Sequence, residues 1–312
     1  MDRRLLGVVM LIVVALVAVA LPNRAGHRIF GTPQVALVPG APAEGSCVVA
    51  VDPLPSLDER SGGESPMSYP SARYGACSGN IVGEVMSVDL TAHPLEKATI
   101  NSYASARWDC DLAEVNYVGS IGPYDPARLS TPNIVGWDTN VVVQTTSVGP
   151  SAYQRAAGQR WTACIGGTGG TKAYRGRLQD ALRTGTLPAI FGNCLTAPVH
   201  SINDVVGTAQ LSCEAPHSAE VLGTTQIYAA KTPAEIQESC AKLALRALRS
   251  ADATRGGRLM VTAYSSNGAS GSRAGSVGAA GSLLACVASV QPPARLSGTL
   301  IGLGNGRLPL TG

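Results

Sequence analysis

Eight cysteines constrain this chain more than any other feature of it. They stand at positions 47, 77, 110, 164, 194, 213, 240 and 286. The closest two, Cys194 and Cys213, are 19 residues apart. Structural zinc sites use cysteine pairs two to four residues apart, so the spacing argues against a zinc framework. An even count in an exported chain reads as disulfide bonds. No metal and no other cofactor is expected.

Export is argued from the N-terminus. Met1-Asp2-Arg3-Arg4 precedes an apolar run from Leu5 to Leu21. As a helix this run is about 25 Å long, near the lower limit for spanning a bilayer. The apolar segments of signal peptides are usually shorter, roughly 7–15 residues. Two readings compete: an uncleaved anchor, and a signal peptide cut after Ala18-Val19-Ala20. The anchor is preferred, with residues 1–4 in the cytoplasm and 5–21 as a transmembrane helix. Arg3 and Arg4 favour that orientation, although Arg24 and Arg28 follow the run. The expected location is the cell membrane, single-pass, with the bulk of the chain extracytoplasmic. Residues 22–44, rich in Pro, Gly and Ala, read as a tether.

The cysteines also divide the chain. The first four are spaced 30, 33 and 54 apart and the last four 19, 27 and 46, in the same rank order. Gly45-Ser46-Cys47 matches Gly192-Asn193-Cys194. Glu84-Val85 follows Cys77 at the same distance as Glu220-Val221 follows Cys213. Each unit closes on a similar segment, Thr184-Gly185-Thr186-Leu187-Pro188 and Asn305-Gly306-Arg307-Leu308-Pro309. The chain therefore reads as one domain written twice, over 45–191 and 192–312. Eight cysteines allow 105 pairings, and confining partners within a unit leaves three per unit. The expected set joins first with second and third with fourth: Cys47–Cys77, Cys110–Cys164, Cys194–Cys213 and Cys240–Cys286.

Alternating or short apolar runs predict strands over 47–51, 81–88, 134–145, 161–165, 219–228, 258–264 and 283–290. The clearest helix starts at Thr232, which caps it, with Pro233 in the first turn and Glu235 completing a capping box. Ile236, Cys240, Leu243, Ala244 and Ala247 then share one face, so Cys240 is placed to staple the helix to a strand carrying Cys286. Residues 104–117 around Cys110 are the first unit's equivalent. Each unit is expected to be α+β, a small mostly antiparallel sheet covered by a helix. Long loops are expected over 52–73, 120–132 and 267–282. With aromatics at 4% and only two Phe, the core must be built from Val, Leu, Ile and Ala. A net charge of +3 without a basic block leaves nucleic acid unsupported as a partner.

The order Gly-x-Cys, then Cys-x-x-Pro-His-x-x-Glu-Val, then a helix carrying Cys and a strand ending in Cys, resembles the septum-formation domain of actinobacterial envelope proteins. Cys213-Glu214-Ala215-Pro216-His217-Ser218-Ala219-Glu220-Val221 is the segment that matches most closely, and Pro150 through Cys164 is similar to the family segment before its last Cys. The resemblance covers about 45–312 as two tandem copies. The first copy departs from it, with Asn80-Ile81 where Pro-His is expected. The resemblance implies a membrane-anchored or exported envelope protein linked to division or wall assembly, and it implies no reaction.

Candidate chemistry is sparse. Ser239-Cys240-Ala241-Lys242 has the Ser-x-x-Lys pattern of penicillin-binding enzymes, but no Lys-Thr-Gly strand follows. Cys213, His217 and Glu220 are spaced to converge on a metal, yet a bridged Cys213 is no thiolate. The simpler reading has His217 bonded to nearby backbone or to Glu220, and Glu84 and Glu220 in recurrent structural roles such as pairing with an Arg. Gly166–Gly170 and Gly302–Gly306 read as turns, because neither opens a convincing helix. Asp109, Asp111 and Glu114 read as the solvated face of a helix. No catalytic residue is assigned; His217, Glu220 and Glu84 are the candidate binding residues. The expected function is a non-enzymatic binding or scaffold role among envelope or division proteins. The alternatives are an enzyme that modifies cell-wall polymer, and a carrier or sensor of a small envelope ligand.

Overall fold

The computed structural model describes residues 37–52, 70–91, 110–121, 135–206, 211–227, 230–266 and 281–311. The run Leu5–Leu21, most of the tether and most of the three long loops lie outside these. No helix among the described residues is long and apolar enough to cross a membrane.

In chain order the elements are β1 (Cys47–Val51), β2 (Ala72–Gly75), β3 (Gly83–Asp89), α1 (110–118), β4 (Asp138–Thr139), β5 (Gln144–Val148), α2 (Ala152–Ala156) and β6 (Thr162–Gly167). There follow α3 (Ala181–Thr184), β7 (Cys194–Leu195), α4 (Ile202–Val206), β8 (Ala219–Gln226), α5 (Pro233–Leu248), β9 (Leu259–Ser265), β10 (Leu283–Val290), β11 (Arg295–Leu296) and β12 (Leu310–Thr311). The protein mixes helices with antiparallel sheets. One sheet runs β2-β1-β3-β6-β5, a second runs β4-β8-β10-β9 with β7 also on β8, and β11 pairs with β12 in a small third sheet. The order β1-β3-β6-β5 in the first is repeated as β7-β8-β10-β9 in the second.

Alternation along the strands sorts the core. In β6, Ala163 and Ile165 face a cluster with Val48, Val85, Val148 and Trp161, while Cys164 between them turns to the other face. In β10, Ala285 and Val287 pack under α4 with Leu195, Ile202 and Val205. Leu284, Cys286 and Ala288 point the opposite way, into the cluster that holds Ile236, Cys240, Leu243 and Ala244 of α5. That cluster also contains Cys47, Tyr117, Tyr174 and Phe191, and Gly40–Gly312 is a single unit by contact.

The start of α5 is set locally. Glu235 N–H donates to Thr232 Oγ1 (3.3 Å), and Thr232 N–H donates to Glu235 Oε2 (2.7 Å). Four disulfides staple the elements: Cys47–Cys77, Cys110–Cys164, Cys194–Cys213 and Cys240–Cys286. Among the described residues no cysteine is free.

The stretch expected as one strand over 134–145 is two strands in different sheets. β4 pairs with β8 through Asp138↔Thr224 and Thr139↔Gly223, whereas β5 pairs with β6. Between them Val141 bridges Gly192 and Val142 N–H donates to Phe191 O (2.8 Å). An apolar run alone does not reveal such a crossing, because both sheets offer apolar neighbours. Trp137 secures it, donating from Nε1 to Ser239 Oγ on α5 (2.8 Å). Further along, Gly185 and Gly302, both at positive φ (71° and 76°), pack so closely that a Cβ on Gly302 would overlap the Gly185 carbonyl. Only glycine suits that contact.

Candidate functional site

The first cysteine of each set faces a glutamate across a strand pair: Cys47 lies opposite Glu84 and Cys194 opposite Glu220. Both carboxylates are fully buried. A buried carboxylate needs hydrogen-bond donors, and each finds one in the segment that closes its half. Leu178 N–H donates to Glu84 Oε1 (2.7 Å), and Leu300 N–H donates to Glu220 Oε2 (2.5 Å). Those segments are held in equivalent ways by the isolated bridges Ile81↔Tyr174 and His217↔Leu296. Each glutamate thus pins a distant loop to its sheet.

The two sites then diverge. Arg177 Nε donates to Glu84 Oε2 (3.0 Å) and its Nη2 to Gly45 O (2.9 Å). Tyr117 Oη donates to Oε2 (2.8 Å) and Tyr174 Oη to Oε1 (3.4 Å). Burial, together with the adjacent carboxylate, holds both phenols well above the ordinary tyrosine range. At Glu220 the position before the donating amide is Thr299 instead of an arginine, and its hydroxyl donates to Oε1 (2.6 Å). With no cation beside it among the described residues, burial outweighs these two bonds and pushes the Glu220 carboxyl up to about 7.

His217 stands where the first half has Ile81. It is 1% exposed. Its Nδ1 lies 2.8 Å from Ala215 O. A carbonyl only accepts, so Nδ1 carries the proton and Nε2 presents a lone pair. Among the described residues Nε2 has no hydrogen-bond partner, and burial lowers the ring's pKa, which favours the neutral imidazole. No hydrogen bond joins it to Glu220. A His217 ring nitrogen and the sulfurs of Cys194 and Cys213 lie within 4.8 Å of one another. A Cβ built on Gly192 would overlap Cys213 Sγ and lie 3.1 Å from Glu220 Oε1, so sulfur and carboxyl meet across that glycine. The buried Asn193 amide beside them has neither atom bonded among the described residues.

No family model, curated protein or solved structure matches the chain.

The other candidate motifs do not assemble. Ser239 is the acceptor for Trp137, and Lys242 pairs with Glu238 on the exposed face (2.7 Å). Gly166 and Gly167 belong to β6, and the residues after them turn without opening a helix. Asp111 is exposed and accepts from Thr145 Oγ1 (2.8 Å). Glu114 departs from the expected solvated face. It is half-buried, and burial, with the Asp111 charge adding to it, pushes its carboxyl up to about 7. Asp109 lies outside the described residues.

Sequence reasoning missed Gln237. One turn before Cys240 on α5, its Nε2 donates to Val261 O (2.8 Å), and its Oε1 accepts from Ala263 N–H (3.0 Å). These groups lie on β9, the terminal strand of its sheet, so Gln237 occupies a sheet edge that would otherwise offer free donors and acceptors. The available signal was a long polar side chain at the border of an apolar helical stripe. The matching edge of the first sheet is β5. Ser147 stands opposite Cys164 as Ala263 stands opposite Cys286, and Thr145 corresponds to Val261. Along β5 runs a cleft of about 450 Å³ lined by Cys110, Asp111 and residues 143–147. Among the described residues no side chain bonds the β5 backbone as Gln237 bonds β9.

Proposed function

We propose that this protein is a non-enzymatic binding protein of the cell envelope. It is held at the membrane by its N-terminal segment and engages partner envelope or division proteins through the edge of β5. The observation that carries this reading is the cleft along β5, an edge that no side chain among the described residues bonds as Gln237 bonds β9. An extended partner segment adds to β5 as a further strand, with backbone hydrogen bonds supplying affinity and the cleft reading side chains. Thr145, Thr146 and Asp111 give that cleft a polar lining suited to a polar or basic segment. Four disulfides in one chain suit an oxidising compartment. The resemblance of Cys213 through Val221 to the septum-formation domain supports the envelope setting.

The test is cross-linking in intact cells. A photoreactive residue replaces Gln144 on β5 or Thr262 on the stoppered β9. The Gln144 position is expected to yield a discrete adduct that Thr145→Pro abolishes, because proline removes an outward N–H. Thr262 is expected to yield none. Equal adducts from both positions, or none from Gln144, would overturn the reading.

A further inference from the structure

The pair Cys194–Cys213 differs from its counterpart Cys47–Cys77 in one respect that matters chemically. Both lie against a buried glutamate, but among the described residues only Cys194–Cys213 has an imidazole at its side. His217 sits there in the form a metal ligand takes: one ring nitrogen donates to the Ala215 carbonyl, and the other holds an unshared, unbonded lone pair. A carbonyl on the far nitrogen is the usual outer contact that orients a ligating histidine. Two sulfurs and a nitrogen within 4.8 Å of one another are the donor set of a zinc site once the sulfurs are thiolates. The argument that a bridged sulfur is no thiolate does not apply once the Cys194–Cys213 bond is reduced.

We propose that Cys194, Cys213 and His217 form a divalent-metal site, specific for zinc-like ions, that is closed by the disulfide and opened by a dithiol reductant. The reductant transfers two electrons and two protons to the Cys194–Cys213 bond. That bond breaks to give two thiols, and the reductant leaves as its own disulfide. Binding of Zn²⁺ then releases both thiol protons to solvent, while His217 Nε2 donates its lone pair. Two thiolates and a dication make the buried centre neutral, which is what a site without exposed charge requires. The fourth position is open. Access is through the segment 211–216, where Cys213 is buried but Leu211, Glu214, Ala215 and Pro216 are exposed. This inference does not depend on the binding role of β5.

The experiment uses the full chain, anaerobically, before and after treatment with dithiothreitol, with Co²⁺ and Zn²⁺ as probes. The reduced protein is expected to take up one equivalent of Zn²⁺ against a chromophoric chelator and to show sulfur-to-cobalt charge-transfer absorption with Co²⁺. The oxidised protein is expected to show neither. Zinc should protect Cys194 and Cys213 from alkylation, as mapped by mass spectrometry, and leave Cys47 and Cys77 reactive. His217→Asn keeps a donor to Ala215 O but removes the ligand. It is expected to weaken Zn²⁺ binding by about 100-fold, no less than loss of an outer contact costs. His217→Ile, which copies Ile81, is expected to do the same. Uptake unchanged in both variants, protection of Cys47 and Cys77 equal to that of Cys194 and Cys213, or no uptake by the reduced protein would overturn the proposal.

Discussion

Glu220→Gln isolates the cost of keeping a buried acid whose partners among the described residues are Thr299 and the Leu300 amide. Burial raises the Glu220 carboxyl from its ordinary 4.5 to about 7. The folded chain therefore binds a proton more tightly than the unfolded chain does. Stability contributed by that proton is complete below about pH 4.5 and is lost as pH rises to about 7 and beyond. At about 1.4 kcal/mol for each tenfold change in acidity, the loss is about 3 kcal/mol. Glutamine is neutral at every pH. It accepts from Leu300 N–H through its carbonyl, and its amide N–H₂ faces Thr299 Oγ1, which accepts in turn. Wild type and Glu220→Gln should therefore have similar stability near pH 4.5. Near pH 8 the variant should be the more stable by about 3 kcal/mol. Urea titrations with the bridges intact, followed by tryptophan fluorescence at both pH values, measure the difference, in which all other titrating groups cancel. Parallel pH profiles for the two proteins would refute the assignment of a buried, cation-free acid to this position.

Three further outcomes are expected. Arg177→Met leaves Glu84 with its two tyrosines and the Leu178 amide but no countercharge. The arginine side chain is 40% exposed, so the loss is discounted to about 2 kcal/mol, read from the urea midpoint. Gln237→Ala frees Val261 O and Ala263 N–H and should cost about 1–2 kcal/mol. Hydrogen exchange should quicken at Ala263 and not at the central strand β10. Gly192→Ala adds a methyl against Cys213 Sγ at an ordinary φ of −69°. The clash without backbone strain should cost about 1–3 kcal/mol in thermal unfolding, whereas Gly40→Ala, with nothing within 4 Å, should be neutral.

Where the chemistry is local, the sequence was informative. Thr232, Pro233 and Glu235 announce a helix start because a capping box needs only residues three apart, and α5 begins there. The apolar positions 236, 240, 243, 244 and 247 name its buried face because helical periodicity converts spacing into direction. An even number of widely spaced cysteines reads as bridges, and bridges are what the fold contains. The recurrence of Glu84 and Glu220 marks equivalent positions.

What those glutamates do was decided by tertiary structure. The guess of an arginine partner suits Glu84, which meets Arg177 from 93 residues away. Glu220 meets Thr299 instead, and nothing near either glutamate in the chain distinguishes the two cases. His217 and Ile81 likewise differ by one letter, yet only packing against Cys194 and Cys213 gives that letter chemical meaning. The split of 134–145 between two sheets and the stopper formed by Gln237 belong to the same class. The physical reason is common to all of them. Helix starts and buried faces follow from interactions between near neighbours along the chain, whereas the charge state of a buried acid and the occupancy of a sheet edge depend on which remote segment the fold brings against it.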